Sequence, residues 1–199
     1  MTRGRREPGA ETGGVLVHAE FLSGAQCARL RSAIDRGHSA SAEIYDNGYV
    51  VDEQVRKAYD VEIEPHIVWE VEHALAGVRA DVSRFFGRAL TGAEGPGFLR
   101  YPPGGFFRAH ADRLENAGDE FPRLISVVLF LSSAAAGPGD GRCEGGALRL
   151  YGIANPGDHQ APLDIAPAAG TLVAFPSDVL HEVLPVISGV RDAIVDWFY

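Results

Sequence analysis

The chain has few cysteines, one lysine and no long apolar run, and each of these features excludes some classes of protein. Cys27 and Cys143 are the only cysteines among 199 residues. They form no C-x-x-C pair, which argues against a disulfide scaffold and a zinc ribbon, so we expect a reduced, cytoplasmic protein. No apolar run reaches the length of a membrane-spanning helix. The N-terminal arginines are not followed by the apolar segment of a signal peptide.

Positive charge is also scarce. Lys57 is the single lysine, and 18 Lys and Arg residues face 27 Asp and Glu residues, which gives a formal net charge of -9. A nucleic-acid or anionic-membrane partner requires a basic face, so we expect neither. Apolar residues make up 46% of the chain, enough for one substantial core. We predict a disordered tail over residues 1–14 and a single domain over residues 15–199.

The pattern predicts two helices followed by many short strands. A capping box at Ser23 and Gln26 begins a helix over about 23–37. Pro65 and an apolar repeat at helical spacing predict a second helix over 65–87. Beyond Gly97, short apolar segments alternate with Gly- and Pro-rich turns, which favours a mainly β core over about 97–199 with both helices on one sheet face. The strand candidates are residues 98–101, 106–112, 124–131, 147–151, 163–165, 171–175, 182–186 and 192–198.

Three residues form a candidate metal site. In a strand, His110 and Asp112 point to the same face because side chains alternate. Two histidines and one carboxylate on one face of an octahedron suit non-haem iron(II) and leave three positions open. His181, at the entry to a late strand, supplies the second imidazole. Arg191 follows it by ten residues and offers a guanidinium that can bind a carboxylate through two parallel hydrogen bonds.

The order and spacing of three segments resemble the 2-oxoglutarate/Fe(II) dioxygenases of the prolyl-hydroxylase-like group. They are residues 99–112 (LRYPPGGFFRAHAD), 145–151 (GGALRLY) and 170–177 (GTLVAFPS), the last running on to His181, Arg191 and the final WFY. The resemblance covers about residues 15–199. It implies a double-stranded β-helix of the jelly-roll or cupin-like kind, with helices supporting the larger sheet.

The resemblance also implies a cofactor set and a reaction. His110, Asp112 and His181 would hold Fe(II). Arg191 would bind the cosubstrate 2-oxoglutarate, with Tyr101 as a second donor and Trp197 lining the pocket. O₂ would be the oxidant and ascorbate an accessory reductant. The enzyme would couple decarboxylation of 2-oxoglutarate to hydroxylation of a C–H bond in an amino acid, a peptidyl residue or a natural-product intermediate.

One position departs from the group's pattern. Phe130 stands where the oxygen-sensing members carry a tyrosine that contacts the cosubstrate, so binding would depend more on Arg191 and Tyr101. Asp112 is itself informative, because halogenases of related fold omit this carboxylate, and its presence favours hydroxylation.

Simpler interpretations remain open at this stage. An isolated H-x-D is consistent with a plain His–Asp hydrogen bond. Arg191 is also consistent with a surface ion pair to Asp192 or Asp178, and Tyr101 and Trp197 with ordinary core packing. A cupin-like metal-binding protein without oxygenase activity needs no arginine at position 191. A zinc hydrolase also uses two histidines and a carboxylate, but it gives Arg191 no role and has no obvious general base here.

The substrate-binding region is predicted only from segments that are rich in charges and lack the apolar period of a core element. We expect residues 48–57 to form a mobile lid over the iron pocket, with Glu53 or Arg56 touching a small-molecule or peptide substrate. The loop over residues 113–123 would cover the pocket mouth, since loops carry specificity on such scaffolds. Arg113 is a further substrate candidate in that loop, and Arg108 and Arg149 are others elsewhere. The sequence does not indicate an oligomeric state.

Overall fold

A computed structural model of the chain describes residues 14–45, 48–113, 122–135, 139–153 and 161–199. The predicted tail, apart from its last residue, and most of the predicted loop 113–123 lie outside these ranges. The elements are β1 (Leu16–His18), α1 (Gly24–Arg36), β2 (His38–Ser41), β3 (Ile44–Tyr45), β4 (Tyr49–Val50), β5 (Arg56–Lys57), β6 (Tyr59–Glu62), α2 (Pro65–Phe86), β7 (Gly97–Tyr101), β8 (Phe106–His110), β9 (Ile125–Phe130), β10 (Ser133–Ala134), β11 (Arg142–Gly145), β12 (Leu148–Leu150), β13 (Leu163–Ile165), β14 (Leu172–Pro176), β15 (His181–Val183), β16 (Val186–Gly189) and β17 (Arg191–Phe198).

Two facing sheets form the body of the fold. The larger has seven strands in the order β1-β14-β9-β17-β7-β6-β2, and the smaller has five in the order β13-β12-β15-β8-β5. Every described strand pair in these two sheets is antiparallel. Chain-distant strands are neighbours in both sheets, as a double-stranded β-helix requires. The predicted fold class is confirmed.

Both helices pack on one face of the seven-stranded sheet. The Ser23 hydroxyl accepts from the Gln26 backbone N–H at 3.3 Å, and the Gln26 side chain accepts from the Ser23 N–H at 2.9 Å, so the predicted capping box is present. Helix α1 ends at Arg36, and the following Gly37 has extended backbone angles (φ -70°, ψ 167°) and lies close to β6. A Cβ on Gly37 would lie 2.5 Å from the backbone oxygen of Glu62. Helix α2 ends at Gly87, which has the left-handed φ of 64° that glycine tolerates.

Strand alternation divides the seven-stranded sheet into two apolar faces. On β9, Ile125, Val127 and Leu129 belong to the helix-side core. Val128 and Phe130 belong to the core between the two sheets. The same alternation on β17 directs the odd-numbered residues 191–197 toward the space between the sheets. That space is where the candidate site lies.

The structure departs from the strand predictions in several places. Residues 182–186 were predicted as one strand, but β15 ends at Val183 and β16 begins at Val186. The strands β1, β2, β3, β5, β10 and β11 were not predicted from sequence. They are short, and their residues show little apolar alternation. Within the described ranges, no helix combines the length and hydrophobicity of a bilayer crossing.

Candidate metal centre and cosubstrate cavity

Three potential ligands converge at one end of the five-stranded sheet. His110 is the last residue of β8, Asp112 lies just beyond it, and His181 is the first residue of β15. His181 and His110 are register partners across the two strands. The His110 Nε2 atom is 3.4 Å from Asp112 Oδ1, and His181 Nε2 is 3.5 Å from Asp112 Oδ2. One ligand atom from each of the three lies within 4.8 Å of the others, which is compact enough for a single ion.

Backbone carbonyls fix the orientation of both imidazoles. The Nδ1 atom of His110 is 2.8 Å from the Arg108 oxygen, and that of His181 is 2.9 Å from the Val179 oxygen. A carbonyl oxygen only accepts, so each Nδ1 carries a hydrogen, and in the neutral form that a metal binds each Nε2 offers its lone pair. Both Nε2 atoms therefore face the side of the site where the Asp112 carboxylate lies. Burial lowers the pKa of His181, which favours the neutral imidazole that a metal requires.

The carboxylate of Asp112 is held in its ionised form. Burial alone would raise its pKa, but the neighbouring His181 and His110 and the Ser126 hydroxyl outweigh that effect and bring the pKa below its usual range. The Ser126 hydroxyl lies 2.7 Å from Asp112 Oδ2. An ionised carboxylate beside two neutral Nε2 atoms is a donor set that fits iron(II) or another first-row divalent cation.

The ligands open into a cavity of about 950 Å³ between the sheets. Its wall combines the three ligands with residues from both sheets and from the β3–β4 hairpin. The described lining includes Glu43, Ile44, Tyr49, Arg56, Asp60, Glu94, Leu99, Tyr101, Phe107, Arg123, Val128, Leu148, Arg191, Val195 and Trp197. A cavity of this size accommodates a small cosubstrate together with part of a second molecule.

Arg191 is a buried cation in this cavity. Arg191 is 2% exposed. Among the described residues, no carboxylate forms an ion pair with its guanidinium. The expected competitor Asp192 instead receives Arg100, whose Nε donates at 2.8 Å. Arg191 Nε donates to the Gly146 oxygen at 2.8 Å. Burial lowers the pKa of Arg191, so an anionic partner in the cavity would relieve an unfavourable charge.

Aromatic rings surround this guanidinium. Its Cζ lies 4.9 Å from the centre of the Tyr101 ring and 5.3 Å from that of Phe130. Tyr101 also lines the cavity, whereas Phe130 offers only its ring. The departure noted from the sequence is thus located beside Arg191. Trp197 lies in the cavity wall, on the strand face that it shares with Arg191.

The structure separates the substrate candidates. Arg56 lines the cavity, with its Cζ 4.8 Å above the Phe107 ring, and it donates to the Glu43 oxygen at 2.8 Å. Glu53 lies on an exposed turn, Arg113 is exposed, and neither is part of the described cavity wall.

The other two candidates face outward. Arg149 forms a paired ion bridge with Asp164, with N–O distances of 2.6 and 2.8 Å on the strand pair β12–β13. Arg108 is exposed and donates to the Gln54 oxygen. The predicted lid is also partly sheet. Its last residues, Arg56 and Lys57, pair with Phe107 and Phe106 of β8.

Sequence patterns missed several residues that shape the site. Phe107 stacks on the His110 ring with centroids 3.6 Å apart. Arg123 stacks on Trp197 at 3.7 Å while its Nε and Nη2 donate to Glu94. Ser126 had a visible signal, because it is the one polar residue in the apolar run ISVVLF of β9. Phe107 and Arg123 carried none, since their roles depend on contacts between distant segments.

Comparison with known proteins agrees with this geometry. The family model described as "2OG-Fe(II) oxygenase superfamily" matches residues 96–199. A PKHD-type hydroxylase of Synechococcus elongatus is 37% identical over 102 residues, which covers 50% of this chain and 40% of that protein. A PKHD-type hydroxylase of Stenotrophomonas maltophilia is 36% identical over 106 residues, covering 51% and 41%. The match therefore spans about two-fifths of the length of these relatives.

Solved structures extend the likeness to nearly the whole chain. The crystal structure of a Pseudomonas putida prolyl-4-hydroxylase superposes with a TM-score of 0.71 at 28% identity, over 94% of this chain and 92% of that one. A prolyl hydroxylase from Trichoplax adhaerens, solved with a peptide fragment of hypoxia inducible factor, gives a TM-score of 0.71 at 22% identity, over 94% and 84%. The latter likeness shows the fold alone. The family match covers more than half of the chain and includes all three candidate ligands, so this chain belongs to the 2OG-Fe(II) oxygenase superfamily.

Proposed function

We propose that this protein is a 2-oxoglutarate-dependent hydroxylase. The overall reaction converts 2-oxoglutarate, O₂ and a C–H bond into succinate, CO₂ and a C–OH group. The observation that carries the proposal is the shared cavity of two different sites. One is a His-Asp-His set with free Nε2 lone pairs, and the other is the buried Arg191, which has no carboxylate partner among the described residues.

Each half of the cavity has a defined role in this proposal. Arg191 binds the distal carboxylate of 2-oxoglutarate, and Tyr101 beside it offers a hydroxyl. The ligands His110, Asp112 and His181 hold Fe(II), which when bound supplies the activation of O₂. The walls between them exclude bulk water from the reacting groups.

The alternatives use fewer of these features. A metal-binding protein without oxygenase activity, or a zinc hydrolase, leaves a buried arginine with no counter-ion and no purpose. Keeping an unpaired guanidinium buried is unfavourable by several kcal/mol, so a bound anion is its simplest justification. We therefore prefer the reading in which the anion is the cosubstrate.

The substrate is a peptide or a small molecule. The cavity wall also carries charges of both signs, from Arg56, Arg123, Glu43 and Glu94. Tyr49 and Val50 on the β3–β4 hairpin are 74% and 42% exposed, and Tyr49 borders the cavity. Exposed apolar residues beside a cavity are typical of a binding surface. The P. putida relative's description as a prolyl-4-hydroxylase makes prolyl peptides and free proline the first compounds to screen.

Succinate release tests the proposal. Purified protein is incubated with Fe(II), ascorbate, 2-oxoglutarate and air, over a panel of prolyl peptides and free amino acids, and products are followed by mass spectrometry. We expect substrate-stimulated succinate and a matching +16 mass shift of one substrate. The control is His181→Ala, which removes a ligand and is first checked for folding by circular dichroism. Succinate formation equal in the wild type and the variant would show that the chemistry does not take place at this site.

A further inference from the structure

The side chain of Asp112 is held from outside its own strand. It lies beyond His110, the last residue of β8, so the sheet ladder does not fix it. Two contacts secure this stretch. The Arg113 backbone N–H donates to the Ser177 oxygen at 2.9 Å. The Ser126 hydroxyl lies 2.7 Å from Asp112 Oδ2. Among the described residues, Ser126 is the hydroxyl that reaches this carboxylate.

Counting hydrogens sets the direction of the contacts. Ser126 has one hydroxyl hydrogen, and an ionised carboxylate only accepts, so Ser126 donates to Asp112 Oδ2. The Ser126 and Ser177 oxygens are 2.9 Å apart. Since the Ser126 hydrogen is already used, the Ser177 hydroxyl is the donor in that contact. The result is a relay from Ser177 through Ser126 to Asp112.

The relay lies where hydroxyls are unfavourable unless they are bonded. Ser126 is 1% exposed and Ser177 is fully buried. Ser126 interrupts the otherwise apolar β9, and its register partners are Phe175 and Trp197. An alanine there would avoid burying a hydroxyl. The serine therefore has a use at this position beyond packing.

We infer that Ser126 is a positioning residue: it donates to Asp112 Oδ2, which also lies 3.5 Å from His181 Nε2, and thereby favours Oδ1, 3.4 Å from His110 Nε2, as the oxygen presented to the metal. This inference rests on the proposed function, because it assumes that the three ligands bind a divalent cation. A carboxylate bound through one oxygen fills one of six octahedral positions, and with two imidazoles it leaves three. A cosubstrate that chelates through two atoms would take two of these, and O₂ would need the third. Binding through both carboxylate oxygens would remove one of the three.

The test compares Ser126→Ala with Ser126→Thr, which keeps the hydroxyl. Ser133→Ala is the matched control, because it deletes a serine oxygen that accepts the Ala169 N–H at 3.0 Å in a strand outside the cavity wall. Mn(II) affinity is measured by electron paramagnetic resonance on each folded protein, without turnover. Loss of a group that orients a ligand typically lowers metal affinity 10- to 100-fold. We expect a loss of that size for Ser126→Ala and near-wild-type affinity for Ser126→Thr and Ser133→Ala.

Coordination is read separately with Co(II), whose visible absorption distinguishes coordination numbers. Ser126→Ala is expected to change the Co(II) spectrum and to weaken 2-oxoglutarate binding to the Co(II) form by at least tenfold. Ser177→Ala, which removes only the far end of the relay, is expected to give a smaller change in the same direction. It also provides the test if Ser126→Ala does not fold.

The outcomes distinguish failure of the proposed function from failure of the positioning role of Ser126. If the wild type binds no Mn(II) at the three ligands, the proposed function fails. If the wild type binds Mn(II), and Ser126→Ala binds it equally well with an unchanged Co(II) spectrum, the positioning role is refuted while the proposed function stands. A drop in thermal midpoint with unchanged metal and 2-oxoglutarate affinity would make Ser126 a structural residue, which also overturns the inference.

Discussion

Replacing Arg191 with methionine removes the buried positive charge of the cavity while keeping an extended side chain. In the structure, this guanidinium has one backbone acceptor, the Gly146 oxygen, and two aromatic neighbours, Tyr101 and Phe130. If its partner in the working enzyme is the distal carboxylate of 2-oxoglutarate, the variant loses a buried charge-assisted pair. Such a loss amounts to about 2–5 kcal/mol. At about 1.4 kcal/mol per tenfold, the dissociation constant for 2-oxoglutarate rises by roughly 30-fold to a few thousand-fold.

Arg191→Met should not lower the thermal stability of the unliganded protein, although it weakens 2-oxoglutarate binding. The unliganded protein keeps a desolvated charge with no ion-pair partner among the described residues, so replacing it with an apolar side chain removes an unfavourable contribution. We expect the thermal midpoint without 2-oxoglutarate to stay level or rise. A purely structural arginine would instead lower it.

Calorimetric titration of the Mn(II) form with 2-oxoglutarate measures the effect without turnover. Arg149→Met is the matched control, because it removes a paired arginine from the outer face of the neighbouring sheet. We expect Arg149→Met to bind 2-oxoglutarate normally. An unchanged dissociation constant in Arg191→Met, together with a lowered thermal midpoint, would refute the assignment of Arg191 as the cosubstrate residue.

Three further predictions follow from single contacts. The pKa of Asp196 is raised to about 6, chiefly by burial and further by Glu94 and Glu72. Ionisation of Asp196 therefore destabilises the native state as pH rises from about 4 to 7. Asp196→Asn should be more stable than the wild type by about 1–3 kcal/mol at pH 8, but not at pH 3.5. An equal difference at both pH values in urea melts would contradict this. Gly37→Ala places a Cβ 2.5 Å from the Glu62 oxygen and should lower the free energy of unfolding by about 1–3 kcal/mol, whereas an unchanged urea midpoint would mean that the α1–β6 contact relaxes freely. Arg56→Ala should weaken substrate binding while 2-oxoglutarate binding is retained, and Glu53→Ala should leave both unchanged, as measured by the substrate KM once a substrate is found.

The helices and the β-helix core were predictable because their signals are local or strongly ordered along the chain. The capping residues Ser23 and Gln26 and the apolar repeat of α2 define the helix bounds within a few residues. The fold class came from many short apolar segments together with the resemblance in residues 99–112, 145–151 and 170–177. Short edge strands such as β2, whose residues are all exposed, have no apolar alternation to reveal them.

The site was predictable to the extent that spacing encodes it. His110 and Asp112 are close in sequence, and His181 and Arg191 follow in an order that the resemblance supplies. The partners of these residues were not predictable. Nothing local links Ser126 to Asp112, Arg123 to Trp197 or Phe107 to the ring of His110, because each contact joins strands that are adjacent only in the folded sheets.

The sequence could not rank the candidate substrate residues, for a physical reason. Glu53 and Arg56 are both charged residues in one polar segment, and the sequence offers no way to rank them. Pairing of β5 with β8 turns Arg56 over Phe107 and toward the cavity, whereas Glu53 stays on the exposed turn before it. Strand pairing of a two-residue element is too short to be visible as a pattern.

Labelled oxygen gives the most direct measurement of the central claim, which is that this cavity oxidises 2-oxoglutarate with O₂. The protein is incubated under ¹⁸O₂ with Fe(II) and 2-oxoglutarate, beside an Asp112→Ala control, and the succinate is analysed by mass spectrometry. The account predicts enzyme-dependent succinate that carries one ¹⁸O atom in the wild type and background levels in the control. Absence of labelled succinate from an iron-loaded wild type, or equal amounts from Asp112→Ala, would contradict it.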